Sequence, residues 1–226
     1  MRIYVPGANR TGRAAWPHCT DEEGLYVAFA TDSPVEQRTT TVGNLTTAEP
    51  VTVIAHSLGA IPALLAIAAG HLRPARLVLL EPALFDIVRG VPAVEEHIAV
   101  MTRARQKAAA GDLFGYWALV KPFMFGGRAL VEDWQQDEPH ARRFSTQPAP
   151  WGHNITPDLM ATLPTLVLTG GWNEQYEAIA AVLIRHGAAH RILPGSGHRA
   201  QDAPEFEALI AAFEQDTPAR GRIRGR

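Results

Sequence analysis

Between residues 2 and 193 the chain repeats one pattern, a short run rich in leucine and β-branched residues that is followed by a stretch compatible with a helix. The runs fall at 2–5, 25–30, 51–55, 76–80, 165–169 and 191–193, and most lack polar alternation. A strand with one face in water alternates apolar and polar side chains, so unbroken runs suit strands covered on both faces. Such strands are mostly parallel, each joined to the next by a crossover that covers a face of the sheet. Helices are expected at 58–69, 175–186 and 204–215, the last carrying Phe206, Leu209, Ile210 and Phe213 at helical spacing. The fold class is therefore α/β, a mostly parallel sheet of about six strands flanked by helices. Ligands are expected beyond the carboxyl ends of its strands.

The rhythm breaks once. From about 85 to 161 no convincing core strand occurs, and the segment reads as helices at 94–110, 113–121 and 129–144, punctuated by Gly and Pro. It is too long and too apolar for a loop, which makes it an inserted helical cap. Phe114, Tyr116, Trp117, Phe123, Met124, Phe125, Trp134 and Trp151 gather there, and a cap rich in aromatics lying over a polar site suits a partly apolar small molecule. Trp117 and Trp151 are expected to touch it. The chain thus divides into a core at 1–84 and 161–216, a cap at 85–160, and a tail at 217–226 whose four arginines among glycines read as disordered.

At 226 residues the chain can bury one sizeable core, and 46% apolar and 19% charged residues with a net charge of −2 describe an ordinary globular protein. That balance favours neither nucleic acid nor a membrane as partner. Cys19 is the only cysteine, no apolar run approaches a membrane span, and residues 1–5 are too short for a signal sequence, so a cytoplasmic setting is expected. No Cys or His cluster has zinc spacing and no Gly-rich loop has a phosphate-cradling or dinucleotide pattern, so neither a metal nor a cofactor is required. The oligomeric state stays open.

Chemistry concentrates at Ala55-His56-Ser57-Leu58-Gly59, between the run 51–54 and the helix-compatible run 60–67. A strand, sharp turn and helix with small residues two before and two after the serine displays its hydroxyl as a nucleophile. Serine also caps helices, but of the four serines only Ser57 has this setting. A serine hydroxyl needs a base, and His198, in Leu193-Pro194-Gly195-Ser196-Gly197-His198 between the last strand and the last helix, is the histidine placed at the same sheet edge. His56, beside the serine, must point away from the turn and reads as a packing residue.

Ser57 in its turn, His198 in its loop, the Pro6-Gly7-Ala8-Asn9 turn after the first strand and the cap between them resemble the α/β-hydrolase family from residue 1 to about 213. Two departures stand out: the match starts at the family's third strand, which implies a smaller sheet without the first hairpin, and the turn reads Pro6-Gly7 where many relatives read His-Gly. The resemblance implies an oxyanion hole built by the backbone N–H groups of Leu58 and Ala8, with Asn9 adjacent. It also implies an acid that orients the histidine. Many relatives carry an aspartate after the strand at 165–169, but that loop reads Gly170-Gly171-Trp172-Asn173-Glu174-Gln175. Two glutamates remain, Glu81 after the strand at 76–80 and Glu174. The activity implied is that of a serine hydrolase cleaving a small carboxylic ester or related acyl compound through an acyl-enzyme. The alternatives are carbon–carbon bond hydrolysis or a lyase reaction on the same fold, or binding of a small molecule without turnover.

Overall fold

The computed structural model describes residues 1–8, 10–45 and 50–217. Asn9 and 218–226, nearly all of the expected tail, lie outside the described residues. Six strands form one sheet, β1 (Arg2–Val5), β2 (Leu25–Tyr26), β3 (Thr52–His56), β4 (Arg76–Leu80), β5 (Thr165–Thr169) and β6 (Ala189–Ile192). All neighbours pair parallel, in the order β2-β1-β3-β4-β5-β6.

Alternate residues of β1, β3, β4 and β5 enter two separate apolar layers, while the edge strands β2 and β6 are more exposed. Ile3, Val5, Val53, Ala55, Leu77, Leu79 and Val167 face α1 (Val35–Gly43), α2 (Ala60–Ala68) and α6 (Glu174–Arg185). Tyr4, Ile54, Val78, Leu80, Leu166 and Leu168 face Trp16 and α7 (Phe206–Asp216), whose Phe206 and Ile210 are buried. Each fully buried Leu, Ile or Val stabilises the fold by roughly 1.5–3 kcal/mol, so both faces hold the sheet. This is why the runs lack polar alternation. The strand at 25–30 is cut to Leu25–Tyr26 because β2 is the sheet's edge and its chain turns off there, Gly12 N–H donating to Val27 O.

Between β4 and β5 lie α3 (Pro92–Ala109), α4 (Leu113–Val120), a π-helical turn at Lys121–Phe125 and α5 (Trp134–Ser145). They share an apolar cluster of their own, with Met101, Ala104, Tyr116, Trp117, Val120 and Ala141 buried. Both ends of the insertion are pinned together. The Asp86 carboxylate accepts from the N–H groups of Gly152 at 2.7 Å and His153 at 2.8 Å, and Phe85 N–H donates to Pro150 O at 3.1 Å. No helix among the described residues is long and apolar enough to cross a membrane.

Register sets up the site. His56 pairs with Leu80 and Leu80 with Leu168, so the residues that follow these strands, Ser57, Glu81 and the Gly170 loop, emerge side by side at one edge of the sheet.

Candidate active site

Ser57 has φ 51°, a left-handed conformation rarely taken by a residue with a side chain. It follows β3 directly and enters α2 through a 3-10 turn, Ser57–Gly59. The turn is closed by contact with β1: a Cβ on Gly59 would run into the carbonyl oxygens of Pro6 and Val5, and one on Gly7 would meet His56 Nδ1 at 3.0 Å and Ser57 Cβ at 3.1 Å. Small residues are therefore required at both places where the turn and the first loop touch.

His198 reaches the serine from the far end of the sequence. Its Nε2 lies 2.9 Å from Ser57 Oγ. The approach depends on Gly170, where a Cβ would strike the Gly197 carbonyl oxygen, and on Gly195 and Gly197, which hold φ 85° and 53° in the loop. His56 does more than pack: its Nε2–H donates to the His198 carbonyl at 2.8 Å, with the two rings 4.9 Å apart, and so tethers the loop. Burial holds the His56 imidazole well below its usual pKa, with His198 adding to the effect, which keeps it a neutral donor.

On the other side of His198 stands Glu81. Its Oε2 is 3.6 Å from His198 Nδ1, within ion-pair range and beyond a neutral hydrogen bond. The carboxylate is fully buried; Oε1 accepts from Gly170 N–H at 2.5 Å and Oε2 from Trp172 Nε1–H at 3.2 Å. Glu81 also has positive φ, 43°, which turns the chain at the end of β4. Glu174 is elsewhere. It opens α6 on an exposed first turn, where a carboxylate is favoured by the helix N-terminus. Of the two glutamates, only Glu81 stands beside the histidine.

A cavity of about 540 Å³ opens over this edge and is lined by Ser57, His198, Ala8 and Leu58 together with residues of the insertion. Phe123, Met124 and Phe125 reach it from the π-helical turn. Trp117 and Trp151, expected at the substrate, do not line it. Trp117 is 4% exposed and turns inward on α4 into the insertion's own cluster, tilted against Phe125 at 5.5 Å. Trp151 stacks behind Phe85 at 6.5 Å and edges on His97 at 6.4 Å, and these two line the wall in its place. Sequence reasoning also missed His97, Met101 and Arg105. They stand at i, i+4 and i+8 along α3, a spacing that puts them on one helix face and was readable. Tyr176, one turn into α6, lies with its ring 5.0 Å from that of His198. Burial first, then the Glu81 charge, push its phenol pKa up, so it stays protonated.

The sequence model of the alpha/beta hydrolase family matches residues 7–208. The chain belongs to the alpha/beta hydrolase family. Among solved structures, MenH from S. aureus is similar over 96% of this chain and 93% of its own, with TM-score 0.64 and 16% identity. An alpha/beta hydrolase from Sphaerobacter thermophilus shares 24% identity over 94% and 91%, with TM-score 0.58. Human thioesterase 2 shares 16% over 97% and 98%, with TM-score 0.55. At these identities the structural likeness shows the fold. Comparison with curated proteins gave no match. Family membership makes the chain a hydrolase enzyme, and its fold implies a small-molecule substrate.

Proposed function

We propose that this alpha/beta hydrolase is a serine hydrolase that cleaves a small carboxylic ester or related acyl compound through an acyl-enzyme. The observation that carries the reading is the 2.9 Å approach of His198 Nε2 to Ser57 Oγ, with the buried Glu81 carboxylate on the opposite nitrogen. His198 takes the Ser57 proton as Oγ attacks the substrate carbonyl carbon. The π electrons of the carbonyl move onto its oxygen, and the N–H groups of Leu58 and Ala8, two residues that line the cavity, receive that charge. The imidazolium then gives its proton to the leaving oxygen as the carbon–oxygen bond breaks. Water, deprotonated by the same histidine, attacks the acyl-enzyme and returns Ser57. Glu81 keeps the histidine proton on Nδ1 and is drawn closer when the ring is charged, since apo hydrogen bonds of such sites are commonly long. No cofactor enters this chemistry. With one cysteine the chain forms no internal disulfide, which supports a cytoplasmic setting.

The helices between β4 and β5 act in this reading as a cap that supplies the apolar wall. The test is labelling by a fluorophosphonate probe, expected at Ser57 and absent in Ser57→Ala. Labelling that survives the substitution, or hydrolysis of a diketone with every ester left untouched, would overturn the ester-cleavage reading.

A further inference from the structure

The cavity wall has a lopsided charge. Among the described residues Arg10, Arg105 and Arg199 line it and no aspartate or glutamate does. An adjoining cavity of about 250 Å³, which shares Gly7, Ala8, Arg10 and Gln147 with the first, adds Arg38 and Arg143, again with no acid among the described residues. Five arginines line this pair of cavities in a chain whose net charge is −2, and the carboxylates beside lining residues, Asp202 and Glu81, are engaged by Arg199 and by Gly170 and Trp172.

Arg199 has its own counter-ion, Asp202, at 2.5 and 2.9 Å. Arg38 and Arg105 have none among the described residues. Arg38 is 4% exposed and donates to neutral oxygens: Ser33 O and Oγ, Thr31 O, and Gln147 Oε1 at 3.1 Å. Arg105 Nη2 donates to Gln147 O at 2.7 Å, while its Nε is buried and has no partner among the described residues. Two guanidiniums thus flank one buried glutamine with no acid beside either, and burial pulls both below the ordinary arginine pKa. A buried charge without a counter-ion is costly, and Arg105, unlike Arg38, lines the main cavity, where a counter-ion can reach it. Met101, one turn before Arg105 on α3, lines the same cavity with Phe123 and Phe144, so an anion that enters fits best with an apolar stem. A guanidinium fork matches the two oxygens of a carboxylate.

We propose that the acyl substrate of this enzyme bears a carboxylate remote from the scissile bond, and that Arg105 binds it. The inference rests on the ester-hydrolase reading above. The experiment compares mono-p-nitrophenyl esters of succinic, glutaric and adipic acids with p-nitrophenyl esters of the methyl-ended acids of the same length. For at least one length the carboxylate-ended ester is expected to have the higher kcat/KM, by roughly ten- to hundredfold. Arg105→Gln brings that ratio close to one, whereas Arg105→Lys, which keeps the charge, retains part of it; a ratio measured on one preparation is independent of how much of a variant folds. Neutral esters preferred at every length, a ratio unmoved in Arg105→Gln, or a phosphate-ended ester outrunning the carboxylate-ended one would each overturn the proposal. A parallel arm needs no turnover. Adipate or glutarate, but not hexanoate or pentanoate, is expected to raise the Tm of Ser57→Ala, and not that of the same protein with Arg105→Gln. If no ester is hydrolysed, the ester-hydrolase reading fails while this arm alone decides the anion site, and absence of any such shift then overturns the site as well.

Discussion

Ser57 and Glu81 are both held at positive φ without being glycine, and each conformation costs of order 1–3 kcal/mol that the surrounding packing must outweigh. The strain is useful because it aims side chains from two neighbouring strand ends at the same imidazole. Glu81 is neutral to the fold only as long as Gly170 N–H and the Trp172 indole satisfy it, which makes its position a matter of hydrogen bonding as much as of sequence. Glu81→Gln keeps the shape and removes the charge that, in the proposed mechanism, fixes the Nδ1–H tautomer, so kcat is expected to fall by about 10² to 10⁴. Glu174→Gln, on an exposed helix turn, is expected to change kcat by no more than about twofold. Steady-state kinetics on one chromophoric ester checks both, and equal losses in the two variants would contradict the assignment.

At the scale of elements, close backbone approach explains more than propensity does. The serine turn can sit against β1 only because residue 59 has no side chain, and Gly59→Ala drives a methyl group into backbone oxygens of Val5 and Pro6 that cannot rotate away. Stability is expected to fall by about 3 kcal/mol or more, read as a lower midpoint in urea, and fluorophosphonate labelling to fall with it. A stability within about 0.5 kcal/mol of the parent would mean that the turn is not packed as described. The one α-helix the sequence pattern did not disclose, α1, is built from Val35-Glu36-Gln37-Arg38-Thr39-Thr40-Thr41-Val42-Gly43. Threonine and valine disfavour helices. Here Val35 and Val42 are buried against α2, and the hydroxyls of Thr39, Thr40 and Thr41 donate back to the carbonyls four residues earlier at 2.8 to 3.0 Å. Tertiary burial overrides a weak local preference.

For the whole molecule, two imidazoles buried neutral make stability depend on pH. Burial lowers His97 from 6.5 to about 4, against the opposing hydrogen bond from its Nδ1–H to Gln175 at 3.0 Å, and lowers His56 still more clearly. In the unfolded chain both take up a proton near 6.5, so between that pH and about 4 the unfolded state binds more protons than the folded one. Stability therefore drops as pH falls through this window. Urea midpoints are expected to decline from about pH 7 to about pH 4.5, and His97→Gln to flatten part of the slope whatever it does to the midpoint itself. An unchanged slope in that variant would show that His97 is not buried neutral.

What the amino-acid order determined by itself was local and periodic. Runs without polar alternation specified strands covered on both faces, and helical spacing in 204–215 specified α7. The small residues Ala55 and Gly59 around Ser57 marked the turn, because each of these signals is written within a few neighbouring residues. What only the tertiary structure decided was every relation across long separations. Pairing of His56 with Leu80 and Leu80 with Leu168 placed Glu81, and not Glu174, beside His198. Likewise, the inward face of α4 took Trp117 out of the cavity and α3 put Arg105 into it. Strand register and helix rotation are set by the packing of whole elements, and no single stretch of chain encodes them.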